Sequence, residues 1–219
     1  MVFFEKSQPA PESLAMEKVK VNGNYNQPDV VERLKNDFKR KCYICEFKST
    51  TNNIEHFVPH KGDIDLKFDW NNLFFACGHC NDTKLGKHDN LLNCTKINDD
   101  VENKLKYIFE PIDKVIKIEA LDTEQKTNNT KNLLIAVYNG TTSLKKADVE
   151  NLIEHLENEI DNFQEKLKKY WNANTNEIKG FYLPKIQEHL SRASNFTAFK
   201  RWIIKDNQRL KNEFEQYFD

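Results

Sequence analysis

Two Cys-x2-Cys pairs dominate the chemistry of this 219-residue chain: Cys42-Tyr43-Ile44-Cys45 and Cys77-Gly78-His79-Cys80, with 31 residues between them. One such pair lets two thiolates from a single tight turn reach the same ion. Two pairs complete a tetrahedral four-sulfur shell that has no open position, so its role is structural. Zn²⁺ is the expected ion. The interval exceeds the roughly 15–20 residues of the usual four-cysteine pattern, so the cross-link is expected to enclose a substructure. Because such a site does not preform in an unfolded chain, metal binding should drive folding. Two other readings stay open: four unrelated buried thiols, or redox-active pairs. Cys94 is left over and is expected to be a small apolar side chain.

Between the pairs lies Asn53-Ile54-Glu55-His56-Phe57-Val58-Pro59. Its apolar residues predict a strand ended by the proline. Adjacent Glu55 and His56 point to opposite sides of a regular strand, though a local bend can bring both near one ion. A second apolar strand is expected over Trp70–Cys77, with Asn72 at its start, and then a helix carrying Asn81. The expected unit is therefore strand, strand, helix, stapled by metal.

Taken together, C-x2-C, I-E-H-F-x-P and W-x-N-L-x3-C-x2-C-N-x2-K, over about residues 42–87, resemble the HNH endonuclease family with its ββα-metal fold. More loosely, the chain is similar to HNH proteins encoded beside an ATPase in bacterial anti-phage systems of the Septu type and in some retrons. The approach through Lys41-Cys42-Tyr43-Ile44-Cys45-Glu46 and the helical C-terminal half carry that wider likeness. The resemblance implies that His56 is the general base, that Glu55 and Asn81 are ligands of a catalytic divalent ion, and that Asn72 braces the loop by backbone hydrogen bonds. Asn81 stands where the letters H-N-H end in histidine. Its amide oxygen and the Glu55 carboxylate are hard ligands, which favours Mg²⁺ or Mn²⁺. The resemblance further implies 5′-phosphate and 3′-hydroxyl products, and an ATPase partner of the structural-maintenance or ABC type.

The residue types suit that chemistry on their own terms. Phosphodiester hydrolysis needs a nucleophile at neutral pH, and histidine titrates close enough to neutrality to be a neutral base there. An ion with only two protein ligands keeps positions for water and substrate and can act as a Lewis acid. Lys84 lies on the same helix face as Asn81. With Lys87 it is expected either to contact a phosphate or to be a solvated lysine. His60, after Pro59, is a further candidate for facing substrate. His79 lies inside the second knuckle and is expected to be a surface contact or an outer partner of the metal site rather than a ligand. His155 and His189 are expected to be structural.

The elements that must position these residues divide the chain into a lead-in (1–41), the cysteine-bounded module (42–95) and a helical remainder (96–219). Residues 1–25 read as irregular. A helix begins at Pro28, carries Val30, Val31, Leu34 and Phe38 at helical spacing, and runs to near Cys42. Residues 33–48 hold a basic excess of four, either a solvated helix face or a phosphate-facing patch. A short helix is expected over 101–109 and a strand where Ile116, Ile118 and Ala120 alternate with charged residues. Residues 125–132 read as a polar loop and 143–171 as one long amphipathic helix. A break is expected at Gly180 and Pro184, then further helix to about 218 with Phe196, Phe199, Trp202, Ile203, Leu210 and Phe214 on its apolar side. The expected fold class is α+β, mostly helical.

Composition narrows the function. Lys and Arg total 33 against 34 Asp and Glu, a net charge of −1, which excludes a globally basic nucleic-acid coat. Aromatics at 11% argue against disorder. The longest apolar run, 133–138, is far short of the roughly 20 residues of a membrane span. With no apolar targeting run at the start, a cytoplasmic protein is expected. The reading is a metal-dependent nuclease, DNA favoured over RNA. The alternative is a zinc-stabilised nucleic-acid-binding or scaffold subunit that does not cleave. Phosphate contacts supply most non-specific affinity, so a near-neutral chain is expected to need a partner that presents the substrate, docked on the helical C-terminal half.

Overall fold

The computed structural model describes residues 1–85, 88–140 and 143–219; Lys87 lies outside them. Met1, Val2 and Phe4 are buried, and the Phe4 N–H donates to the Cys94 carbonyl. Helix α1 (Glu12–Lys18) follows and buries Leu14. Apart from α1 the first 25 residues take no helix or strand, as expected, but their apolar anchors Met1, Val2, Phe4 and Leu14 pack into the core. Helix α2 (Pro28–Asp37) opens on proline at a position where no N–H is needed. It ends at Asp37 rather than near Cys42, because Lys39 and Arg40 take φ of 54° and 60°, which a right-handed helix cannot continue through. Lys41 then turns fully inward, where its ammonium donates to the Ser194 carbonyl and the Thr197 hydroxyl. The basic stretch is therefore not one helix face.

Strands β1 (Asn52–His56) and β2 (Leu73–Cys77) pair antiparallel, with helix α3 (Ile64–Phe68) between them and helix α4 (Gly78–Lys84) directly after. This is the expected strand–strand–helix order. The register sets Glu55 opposite Phe74 and His56 opposite Leu73. After α5 (Val101–Lys104), the helix expected through Phe109 gives way to a hairpin of β3 (Leu105–Glu110) and β4 (Val115–Ala120). Leu105 and Tyr107 alternate inward like Ile116 and Ile118. Such a short apolar run suits either period, and pairing with β4 decides it.

Helix α6 (Gln125–Asn139) begins inside the stretch read as a polar loop. Its threonines are the reason. Thr127 and Thr130 are fully buried, and the Thr130 hydroxyl donates to the Lys126 carbonyl while accepting from the Leu92 N–H. Helix α7 (Ser143–Trp171) has the expected bounds and buries the stripe from Val149 to Tyr170. Helix α8 (Asn176–Leu190) runs straight through Gly180 and Pro184, where a break was expected. A proline ring meets the carbonyl four residues before it; here that residue is Gly180, which has no side chain to resist a local bend. Helices α9 (Thr197–Lys205) and α10 (Gln208–Phe214) complete the chain. Phe196, Phe199 and Phe214 are buried, with Trp202, Ile203 and Leu210 partly so.

The main apolar core draws on all three stretches of the chain, from Met1 through the cysteine module to Phe199, and a second cluster joins α7, α8, α9 and α10 around Phe163 and Ile204. The fold is α+β and mostly helical, and no described helix is long and apolar enough to cross a membrane. Glu102 ties the start of the chain to the helical half. It accepts from the Phe3 N–H and from Arg192 at 2.9 Å, and Arg201 lies 3.3 Å away. Burial raises the pKa of its carboxyl, but the Arg192 and Phe3 bonds and the Arg201 charge outweigh that and hold it below 4.5. Glu102→Ala should cost about 2 kcal/mol in urea unfolding at neutral pH. A carboxylate with a depressed folded pKa gives stability that is lost as pH falls through that value. The gap between the two proteins should therefore narrow below pH 4.5; a gap that widens in acid would exclude this account.

Candidate functional site

The four cysteine sulfurs Cys42, Cys45, Cys77 and Cys80 all lie within 4.8 Å of one another and are buried. Cys45 Sγ and Cys77 Sγ are 3.9 Å apart, against about 3.8 Å for the edge of a tetrahedron with Zn–S bonds near 2.3 Å. The donor set can hold a metal ion such as zinc. Local structure explains the convergence. The first pair sits in a turn closed by Glu46 N–H to Cys42 O and Cys42 N–H to Phe47 O, with Glu46 at φ 60°. The second pair spans the end of β2 and the first turn of α4. The Tyr43 N–H donates to Phe75 O and thereby docks the first turn on β2. Cys94 is buried apart from this group, and burial pushes its thiol up. His79 is not a fifth donor, since its Nε2 is bonded to the Val137 carbonyl and its Nδ1 lies 3.6 Å from Asp148.

A cleft of about 340 Å³ beside the module is lined by Glu55, His56, His60, Asn81 and Lys84, with Tyr25 from the stretch before α2. Five of the expected site residues thus meet: Glu55, His56, His60, Asn81 and Lys84. His56 Nε2 is 3.0 Å from the Lys67 carbonyl. A carbonyl only accepts, so Nε2 carries the proton and Nδ1 the lone pair. Burial lowers the His56 pKa from 6.5, so the ring is a neutral base at pH 7. The rings of Tyr25 and His60 each lie 4.7 Å from it, Tyr25 edge-on.

Asn72 does what a brace must do. Its Oδ1 accepts from the Val58 N–H at 2.7 Å, and its Nδ2 donates to the carbonyls of Val58 and Leu66 at 2.9 and 3.1 Å. One buried amide therefore fixes both ends of the segment that supplies the Lys67 carbonyl.

Glu55 is 7% exposed, and its Oε1 lies 2.5 Å from the Lys84 ammonium. Burial pushes its carboxyl up to about 7 while Lys84 pulls against that. Its Oε2 is buried beside the Tyr43 hydroxyl, a contact that also pulls the carboxyl down. Lys84 corrects the sequence reading. It is neither solvated nor free for a phosphate: its side chain is 3% exposed, and its three N–H donors go to Glu55, His56 O and Phe57 O. Lys87, the other expected phosphate contact, lies outside the described residues. Glu55 and Asn81 both line the cleft, and a carboxylate and an amide oxygen are both hard donors.

Sequence reasoning passed over Tyr25 and Tyr43. Tyr43 had a signal, since it sits between the first two cysteines; Tyr25 lay in a stretch read as irregular. No protein-family model matches this chain, and no curated protein matches it.

Proposed function

We propose that this protein is a metal-dependent endonuclease of the HNH type that hydrolyses phosphodiester bonds in nucleic acid, DNA in the first place. The observation that carries this reading is the state of His56: neutral, with Nδ1 free, and held by a carbonyl that Asn72 positions. In the proposed reaction a water gives its proton to His56 Nδ1 as its oxygen bonds to phosphorus. The P–O3′ bond breaks, and the 3′ oxygen ends protonated. Glu55 and Asn81 would hold the divalent ion, which supplies Lewis-acid stabilisation of the phosphoryl and leaving oxygens. Asn72 orients, and the four-cysteine site keeps the strands in place. With a net charge of −1, the chain relies on a partner to present the substrate; the resemblance makes that partner an ATPase docked on the helical half, in an anti-phage complex.

The test is nicking of supercoiled plasmid in Mg²⁺ or Mn²⁺, with the chain alone and with its ATPase. His56→Ala is expected to slow cleavage roughly 10²–10⁴-fold, and EDTA to abolish it. Because the base must be neutral, the wild-type rate should rise with pH through the His56 pKa and level off below 6.5. The Lys84 ammonium on Glu55 favours a second reading, a metal-stabilised binding subunit that does not cleave. Wild-type protein inert in both settings would establish that reading instead.

A further inference from the structure

The cleft at His56 continues into a larger one. A second concavity of about 700 Å³ shares Tyr25, Ile54 and Asn81 with it and extends toward α2. The lining is unusual for a surface that should grip a polyanion. It holds one cation, Lys35, but several amides, among them Asn26, Asn53 and Asn81, together with apolar Ile54 and Phe75. Among the described residues, the side chains of Asn26, Asn53 and Lys35 have no hydrogen-bond or ion-pair partner.

The chemistry of that ligand follows from the donors. An amide sets an acceptor beside a donor, the pairing that matches the edge of a nucleobase; phosphates are held by cations, of which this lining has one. Apolar residues between the amides suit the face of a base. Tyr25, half-buried at the junction and edge-on to His56, offers a ring on which a base can stack. In a duplex the base faces are stacked, so a cleft that offers a ring and apolar side chains to a base face accepts only a base out of the helix. We propose that this amide-lined cleft binds an unpaired nucleotide next to the scissile phosphate, with Tyr25 positioning the strand over His56. The assignment rests on the nuclease reading of the His56 site, and it makes single-stranded or flipped-out segments the substrate.

The test uses full-length, metal-loaded His56→Ala protein and three labelled probes of equal length: single-stranded DNA, single-stranded RNA and blunt duplex DNA, read by fluorescence anisotropy. A single strand should bind at least tenfold tighter than the duplex; whichever of the two is tighter identifies the sugar. Adding Asn26→Ala and Asn53→Ala together should weaken single-strand binding about tenfold without moving the melting temperature. Tyr25→Ala should do the same, and Tyr25→Phe, which keeps the ring, should restore it. In the His56-intact protein, Tyr25→Ala should raise KM more than it lowers kcat. Duplex binding equal to single strand, or amide variants that bind as well as the parent, overturns the assignment; wild-type cleavage would then leave the nuclease reading intact. Tight, amide-dependent single-strand binding by a wild type that cuts nothing keeps the cleft and removes the nuclease. Neither binding nor cleavage removes both.

Discussion

Stripping the metal from the four cysteines is expected to unfold the unit they enclose and much of the main core with it. Structural four-ligand zinc sites contribute roughly 10–16 kcal/mol of apparent binding free energy near neutral pH. That equals or exceeds the roughly 5–15 kcal/mol by which whole domains are stable. The sheet that the ion closes is small: β1 and β2 are five-residue strands forming a two-stranded sheet of their own, and a pair of that kind is marginal in water without packing partners. The loss should spread. The first knuckle supports the start of α9 through Phe196 N–H to Glu46 O and Ala198 N–H to Glu46 Oε2, and it anchors α6 through the Tyr138 hydroxyl on Cys45 O. The check is metal content by elemental analysis, expected at one ion per chain, and a circular-dichroism melt after removal by a strong chelator under reducing conditions. Cys42→Ser and Cys80→Ser should behave like the stripped protein. An unchanged melt after verified removal would defeat the structural role.

Replacing Lys84 with methionine is the second large effect. Removing one partner of a buried ion pair typically costs about 3–5 kcal/mol, because the other charge is left buried and uncompensated. Glu55 would be left without its cation and, with a carboxyl already pushed up to about 7, would take up a proton at neutral pH, and the carbonyls of His56 and Phe57 would lose their donor as well. Glu55→Gln in the Lys84→Met background should recover part of the loss, since no proton then has to be taken up. Urea unfolding of the three variants reads this directly. A lysine that merely touched a phosphate would leave stability within about 0.5 kcal/mol of wild type, as surface substitutions do, and would alter only the salt dependence of nucleic-acid binding. That pattern would show Lys84 to be a surface group after all.

How much of this was legible in the sequence depends on whether a residue's role is local. The metal site was legible because two identical short spacings carry their own geometry. So was α7, where 29 residues give one apolar stripe time to declare its period. The role of Asn72 came from the resemblance, and its bonds to Val58 and Leu66 suit it. What escaped was set by partners far along the chain. Thr127 and Thr130 look like loop residues until a distant Leu92 N–H is there to be met. Leu105–Phe109 looks helical until β4 lies beside it. Lys84 looks like any basic residue one turn beyond an asparagine, because nothing in its neighbours tells that Glu55, some thirty residues earlier, faces the same interior. Tyr25 was hidden for the same reason: its partner is the ring of His56.

The pairing of β1 with β2 has a consequence beyond cohesion. Side chains on a strand alternate in direction, so a slip of one residue would turn Glu55 and His56 to the opposite faces. Lys84 would then face an imidazole or an isoleucine in place of the carboxylate. Five residues of ladder are too few to forbid that slip by themselves. Cys77 closes β2 directly opposite Asn52, the first residue of β1, and Cys45, whose turn docks on β2 through the Tyr43 N–H, leads by a short link into β1. An ion that clamps both cysteines acts as an index mark: it sets the phase of the strand, and so decides which of two adjacent side chains meets water and which meets lysine.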